Sequence, residues 1–420
     1  MLLNENVTVL AESGISVKKR IDEFLTENPS ATLIRLDQSL MNLSLPSVVT
    51  EGMKRAIEEV SSPFGDRLSS PWSGYEALKK AVVARLEGFG VKVPESDVFI
   101  ISGLESAYAG LSGLFARENN VILPSPCSPS LLQMEQCEGR NISYARATPE
   151  NGFSPEPDAS PADLIYLSSP SALTGVAHSR ENLEKWVSYA NENAGIIIYD
   201  TSLSDYIEGE EFPRSIYEIE GARSCAIEVF SFEIGYGVKE LKVGYVIIPS
   251  SLSRDTVRIR DLFCARQPSF ASPPSFVMQK AAELLFSGEA GPEKEKMIRQ
   301  IKNVARILSD GLSLAGFAHT GGENSPFIWA QCPDAMGSWQ CFDKLMQEAG
   351  CVVTPGSLFG YGGEGYFRMT AFATPEEAEN SVEKIKNAFS APPAVTPEEK
   401  EADTAALLFE EREEDGEEKE

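Results

Sequence analysis

Residues 195–200 read Gly-Ile-Ile-Ile-Tyr-Asp, an unbroken apolar run that ends on a carboxylate. Three consecutive isoleucines leave no polar face, so a strand made of them must be covered on both sides. The same character recurs outward from this stretch. It appears at DVFII (97–101), NVILP (120–124) and LIYL (164–167), and again at CAIEVF (225–230) and VGYVII (243–248). Helical segments lie between several of these runs. Near-continuous apolar strands joined by helical crossovers predict an α/β fold, its mostly parallel sheet carrying helices on both faces.

The flanks are different in kind. Upstream, an amphipathic helix (VKKRIDEFLTEN) is followed by a short strand (ATLIRL) and a second helix (VVTEGMKRAIEEV). A loop rich in Ser, Pro and Gly follows over 61–74, and then the helix EALKKAVVARLEGF with apolar positions at helical spacing. Beyond about residue 290 a long polar helix leads to the strands FIWAQ, CVVTP and GYFRMTAF. A closing helix starts at Thr374-Pro375, with Thr as N-cap and Pro in the first turn. This predicts a smaller α+β unit. The expected division is 1–49 as an N-terminal segment of the small unit, 50–290 as the large domain and 291–391 as the small domain. Residues 392–420 form an acidic tail expected to be disordered.

The formal net charge is -26, which repels phosphate backbones and anionic lipid and argues against nucleic-acid or membrane partners. The stretch 398–420 carries 12 acidic and 3 basic residues. Inside it Ala405-Ala406-Leu407-Leu408-Phe409 is an apolar island, either a featureless piece of tail or a short segment that docks on a protein partner. Seven cysteines without a C-x-x-C pair, and only two histidines, support neither a disulfide framework nor a metal site. Reduced thiols and the absence of a signal-peptide pattern lead to an expectation of a cytoplasmic protein.

Four blocks carry a resemblance to a known family: Asn28-Pro29-x-Ala31 with LIRL (33–36), GIIIYD (195–200), PRSIYEIEGA (213–222) and TPGSLFGYGGEGYFRMTAF (354–372). The chain resembles the fold-type I, pyridoxal-phosphate (PLP) aminotransferases from about Ser16 to Phe389. Within them it is most similar to the LL-diaminopimelate aminotransferases. Such enzymes need a lysine amine to attach the cofactor, a carboxylate to hold the ring nitrogen protonated, donors for the phosphate and an arginine for the substrate carboxylate.

The resemblance implies that Asp200 is the ring-nitrogen partner, Arg368 the carboxylate arginine and Ser231 a phosphate contact. Elsewhere the pattern departs. The S-x-x-K block reads Ser231-Phe232-Glu233-Ile234, so isoleucine stands at the Schiff-base lysine position. The phosphate arginine becomes Lys242. The asparagine facing the ring hydroxyl becomes Ala172, and the tyrosine three residues past the aspartate becomes Leu203. The ring-stacking tyrosine becomes Ser128, and the Gly-Ala-Lys turn becomes Gly103-Leu104-Glu105. The tyrosine that family members donate across a dimer is Ser69, and the substrate turn after LIRL is Asp37-Gln38-Ser39.

These departures predict a protein that has lost PLP-dependent transamination and holds no cofactor. Its cleft would bind a small carboxylate or amino-acid-like ligand, as a pseudoenzyme or as a repurposed biosynthetic enzyme. Arg368, Ser231, Glu105, Ser128, Ala172, Leu203 and Ile234 would line that cleft, and Asp200, Glu233 and Lys242 are the candidate acid and base groups. Glu105 is expected to pair with Lys242, and Asp200, facing an apolar hollow, to have a raised pKa. The alternative is an active PLP aminotransferase of the LL-diaminopimelate type that draws its amine from Lys239 or Lys242. A homodimer is expected from the family.

Overall fold

The computed structural model describes residues 16–38, 44–62, 71–158 and 162–390. Ser39, Ser69 and the acidic tail lie outside them.

A seven-stranded sheet forms the larger part of the molecule. Its order is Val98–Ile101, Gly244–Ile247, Ala226–Ser231, Ile196–Asp200, Leu164–Ser168, Asn120–Ser125, Asn141–Arg146. All neighbours pair in parallel except Gly244–Ile247, which runs antiparallel to both of its partners. The isoleucine run of the opening stretch is therefore central, as its lack of a polar face requires.

Alternate residues of that strand feed two separate cores. Ile197 and Tyr199 pack on one side with Leu78, Val82 and Trp186. Ile196 and Ile198 pack on the other with Ala107, Leu111 and Phe263. The period-2 geometry of a strand produces this split, and helices cover both faces: Glu76–Glu87 and Arg180–Glu192 on the first, Leu104–Ser112 and Ile259–Phe270 on the second. Each fully buried isoleucine contributes about 1.5–3 kcal/mol.

The C-terminal part is a four-stranded antiparallel sheet in the order His319–Gly321, Phe327–Gln331, Tyr366–Thr370, Thr354–Pro355. The long helix Gly291–Leu314 and the helix Pro375–Ser390 pack against each other beside it. Thr374 caps the closing helix reciprocally: its hydroxyl accepts from Glu377 N–H at 3.1 Å, and its own N–H donates to the Glu377 carboxylate at 2.8 Å. The N-terminal segment joins this part. Ile34 and Arg35 pair in parallel with Cys351 and Val352, and Thr370 N–H donates to Leu36 O at 2.7 Å.

None of the seven cysteines, all among the described residues, is in a disulfide. Among the described residues no helix is long and apolar enough to cross a membrane, and no group of three or more His, Cys, Asp and Glu side chains gathers at one point.

Candidate active site

The carboxyl ends of the parallel strands converge on a cleft, where open α/β sheets place ligands. Its volume is 190 Å³, below the ~300–1,000 Å³ of ordinary small-molecule sites. Leu104, Tyr108, Leu173 and Ile234 occupy part of the space, and the far wall is closed by Phe327 and Arg368 of the small sheet and Phe359 of the turn Gly356–Phe359.

Asp200 ends the central strand and is 6% exposed. One carboxylate oxygen, Oδ1, accepts from both the backbone N–H and the hydroxyl of Ser202. The Ser202 hydroxyl in turn accepts from Ser231 N–H at 2.8 Å. This relay fixes the carboxylate and leaves its second oxygen without a donor among the described residues. Burial pushes Asp200 up to about 6; the two bonds from Ser202 pull the other way, and Glu105 adds to the rise.

Arg368 is half-buried on strand Tyr366–Thr370. Nη1 donates to the carbonyl of Ala172 at 3.0 Å, and the guanidinium sits 5.0 Å from the Phe327 ring and 4.9 Å from the Phe359 ring. Burial lowers it to about 10, against the opposing pull of Asp37, so it stays charged at neutral pH. Asp37 is itself committed to Arg35 through bonds of 2.7 and 2.8 Å. Nε of Arg368 is buried without a partner.

Of the residues expected to line the cleft, Arg368, Glu105, Ser128, Ala172, Ile234 and Asp200 are brought together. Leu203 is not: it is 1% exposed and belongs to the core beneath the sheet. Ser231 lies fully buried outside the lining, its hydroxyl unpartnered. Glu233 is half-buried and Lys242 and Lys239 are exposed; none of the three lines the cleft. The expected Glu105–Lys242 ion pair does not form among the described residues. Lys242 acts instead on Glu233, whose pKa burial and Glu105 raise and Lys242 and Lys239 lower. Glu105 stands in the first turn of helix Leu104–Ser112, where the dipole favours a carboxylate.

Tyr108 was not singled out from the sequence. It sits on that helix three residues past Glu105, lines the cleft and meets Tyr166 edge-on at 5.5 Å. Its spacing from Glu105, which puts both on one helical face, is the signal that would have found it. Phe327 comes from the strand paired with that of Arg368 and Phe359 from the single helical turn Gly356–Phe359, and only the tertiary fold brings them together beside the guanidinium.

These residues fit a PLP-type cofactor at some points and not at others. A buried carboxylate with one oxygen unpaired among the described residues suits a protonated ring nitrogen, and Tyr108 offers an aromatic face, whereas the Ser231 hydroxyl lies buried outside the cleft. Among the described residues no lysine lines the cleft, Ile234 has no amine, and Glu105 places negative charge at the helix N-terminus that would otherwise suit a phosphate.

The family model for aminotransferases of class I and II matches residues 33–385. The LL-diaminopimelate aminotransferase of Agathobacter rectalis is 31% identical over 399 residues, covering 91% of this chain and 99% of that protein. The enzyme of that name from Prochlorococcus marinus is 34% identical over 389 residues, covering 88% and 94%. Among solved structures, the L,L-diaminopimelate aminotransferase of Chlamydomonas reinhardtii superposes with a TM-score of 0.86 at 26% identity, covering 93% and 99%. The Thermus thermophilus aspartate aminotransferase with maleate gives 0.78 at 18% identity, which speaks for the fold alone. These matches correct one expectation from the sequence. A cleft with no cofactor was expected, whereas the relatives are aminotransferases, a class that works through PLP, and PLP is the cofactor they point to.

Proposed function

This chain belongs to the class I and II aminotransferase family, and from that premise we propose that it binds an amino acid together with PLP, without a covalent bond to residue 234. The observation that carries the proposal is the pairing, in one cleft, of Asp200 with a free carboxylate oxygen and Arg368 with its charge retained. Asp200 and the Tyr108 ring would hold the cofactor's ring, and Arg368 would hold the amino acid's carboxylate. Bound there, the cofactor supplies an electron sink for an amino acid. The protein's own part is to bind, orient and keep a proton at the ring nitrogen. With Ile234 at the attachment position, transamination by the family route is lost or much reduced. The proposal includes a homodimer and the division of the chain near residues 50, 290 and 391.

A second reading is favoured by the relatives, which are aminotransferases by name. It is an active transaminase of the LL-diaminopimelate type using Lys239 or Lys242. The exposure of both lysines weighs against it unless the segment after Gly237 rearranges.

Visible spectra of the protein with PLP, before and after an amino acid is added, test the first reading. A shift of the PLP band on protein binding, and a further change with the amino acid, supports it. Unaltered free-PLP spectra throughout would oppose it.

A further inference from the structure

Beside the wall that carries Arg368, on the same face of the small sheet, lies a second hollow of 300 Å³. It opens between the small sheet and the turn at 149–153, and Phe153, His319, Thr320, Trp329, Gln331 and Tyr366 line it. Its floor is aromatic. Trp329 is fully buried and stacks on Tyr366 with centroids 5.4 Å apart and planes 13° apart. Phe153 meets Tyr366 edge-on at 5.9 Å.

Phe153 holds φ at 56°, a left-handed conformation that is costly for a bulky side chain. Such cost is tolerated where the surroundings fix the residue for a purpose. Here it turns the phenyl ring onto the hollow's wall.

No charged side chain lines the hollow. The Gln331 amide and the Thr320 hydroxyl have no side-chain partner among the described residues. His319 is already engaged, with Ser309 Oγ at 2.7 Å from Nε2 and Phe317 O at 3.2 Å from Nδ1. The hollow adjoins the cleft on the same face of the small sheet. Trp329 is the cross-strand partner of Arg368, and the Phe359 ring lies 5.9 Å from Trp329 while also underlying the Arg368 guanidinium.

We infer that this hollow is a second small-molecule site, and that it takes a neutral planar ring with an amide-like edge. The ring packs against the half-buried Phe153 and Tyr366, which Trp329 backs from beneath, and the edge exchanges hydrogen bonds with the Gln331 amide and the Thr320 hydroxyl.

Benzamide is a suitable probe. Calorimetric titration into the full chain is expected to give saturable binding, weakened at least about tenfold by Gln331→Ala and by Thr320→Trp, which fills the hollow. Gln331 is exposed, so its truncation spares the core, and it carries the test if the tryptophan variant fails to fold. Absence of saturable binding up to about 10 mM would overturn the inference. So would binding that both variants leave unchanged, since the probe would then sit elsewhere.

Discussion

Nη1 of Arg368 donates to the backbone carbonyl of Ala172 across 3.0 Å, joining residues 196 apart in sequence. The bond ties the small sheet to the turn after strand Leu164–Ser168 and fixes the guanidinium on one side. Its Nε is left buried and unpaired. A cation so held gains from an incoming carboxylate without first having to be ordered.

Arg368→Gln is therefore expected to weaken binding of an amino acid's carboxylate by about 10- to 100-fold, the value of a charge-assisted bond. Calorimetry on the PLP-loaded protein measures it. An affinity within twofold of the parent would place the carboxylate elsewhere.

Asp200 gives the stability a pH dependence of known sign. Its folded pKa of about 6 lies above the ordinary carboxylate value of 3.8, because burial penalises the charged form. The folded state binds the extra proton, so this stabilising contribution is full below about pH 4 and is lost as pH rises through about 6. Asp200→Asn is expected to raise stability at pH 8 by up to about 3 kcal/mol relative to the parent, with no such gain at pH 4. Urea unfolding at the two pH values checks it. Glu228, pushed up to about 7 by burial, has the same sign in both proteins, so the difference between them isolates Asp200.

The short helix Phe232–Tyr236 that carries Ile234 is anchored from below. Tyr236 donates to Asp205 at 2.6 Å, and Arg85 reaches the other oxygen of Asp205 at 2.7 Å. The acid lies well below its usual range: burial opposes that shift, and Arg85 and then Lys294 outweigh it. Asp205→Ala leaves the Arg85 charge buried without its partner and is expected to cost about 3–5 kcal/mol. A loss below about 1 kcal/mol in urea unfolding would show that the pair is dispensable.

Ile234 packs against both cores while facing the cleft. Ile234→Lys is expected to lose about 1–3 kcal/mol of stability and to gain an amine that borohydride links to PLP. Mass spectrometry of the reduced protein reads the adduct. Its absence from a folded variant would mean that residue 234 does not face the ring.

The architecture was legible because the decisive signals are local. A strand such as 196–200, apolar at every position before its carboxylate, has one stable environment, the middle of a sheet covered on both faces. The site was legible in part. Asp200 and Arg368 follow from blocks whose order survives, and Ala172, Ser128 and Glu105 follow from the turns that flank the strands. Leu203 was misplaced because a turn sends it into the core, a direction that sequence spacing does not specify. The Glu105–Lys242 pair was misjudged for the same reason: residues aligned with two contacts to one phosphate need not touch each other. Phe327 gave no signal because strand register across the small sheet decides what lies beside Arg368, and Phe359 gave none because the path of the turn Gly356–Phe359 decides where its ring falls. The cofactor expectation failed differently. It weighed the lost contacts, whereas relatives matching nearly the whole chain point to PLP.

The most direct measurement is to incubate the protein with PLP, reduce it with borohydride and map any modified peptide by mass spectrometry. PLP is expected to remain with the native protein on gel filtration, and after reduction no stoichiometric lysine adduct is expected in the segment 231–244. A stoichiometric adduct on Lys239 or Lys242 would contradict this expectation and identify a working transaminase with a displaced lysine. PLP that separates freely from the native protein would contradict it from the other side.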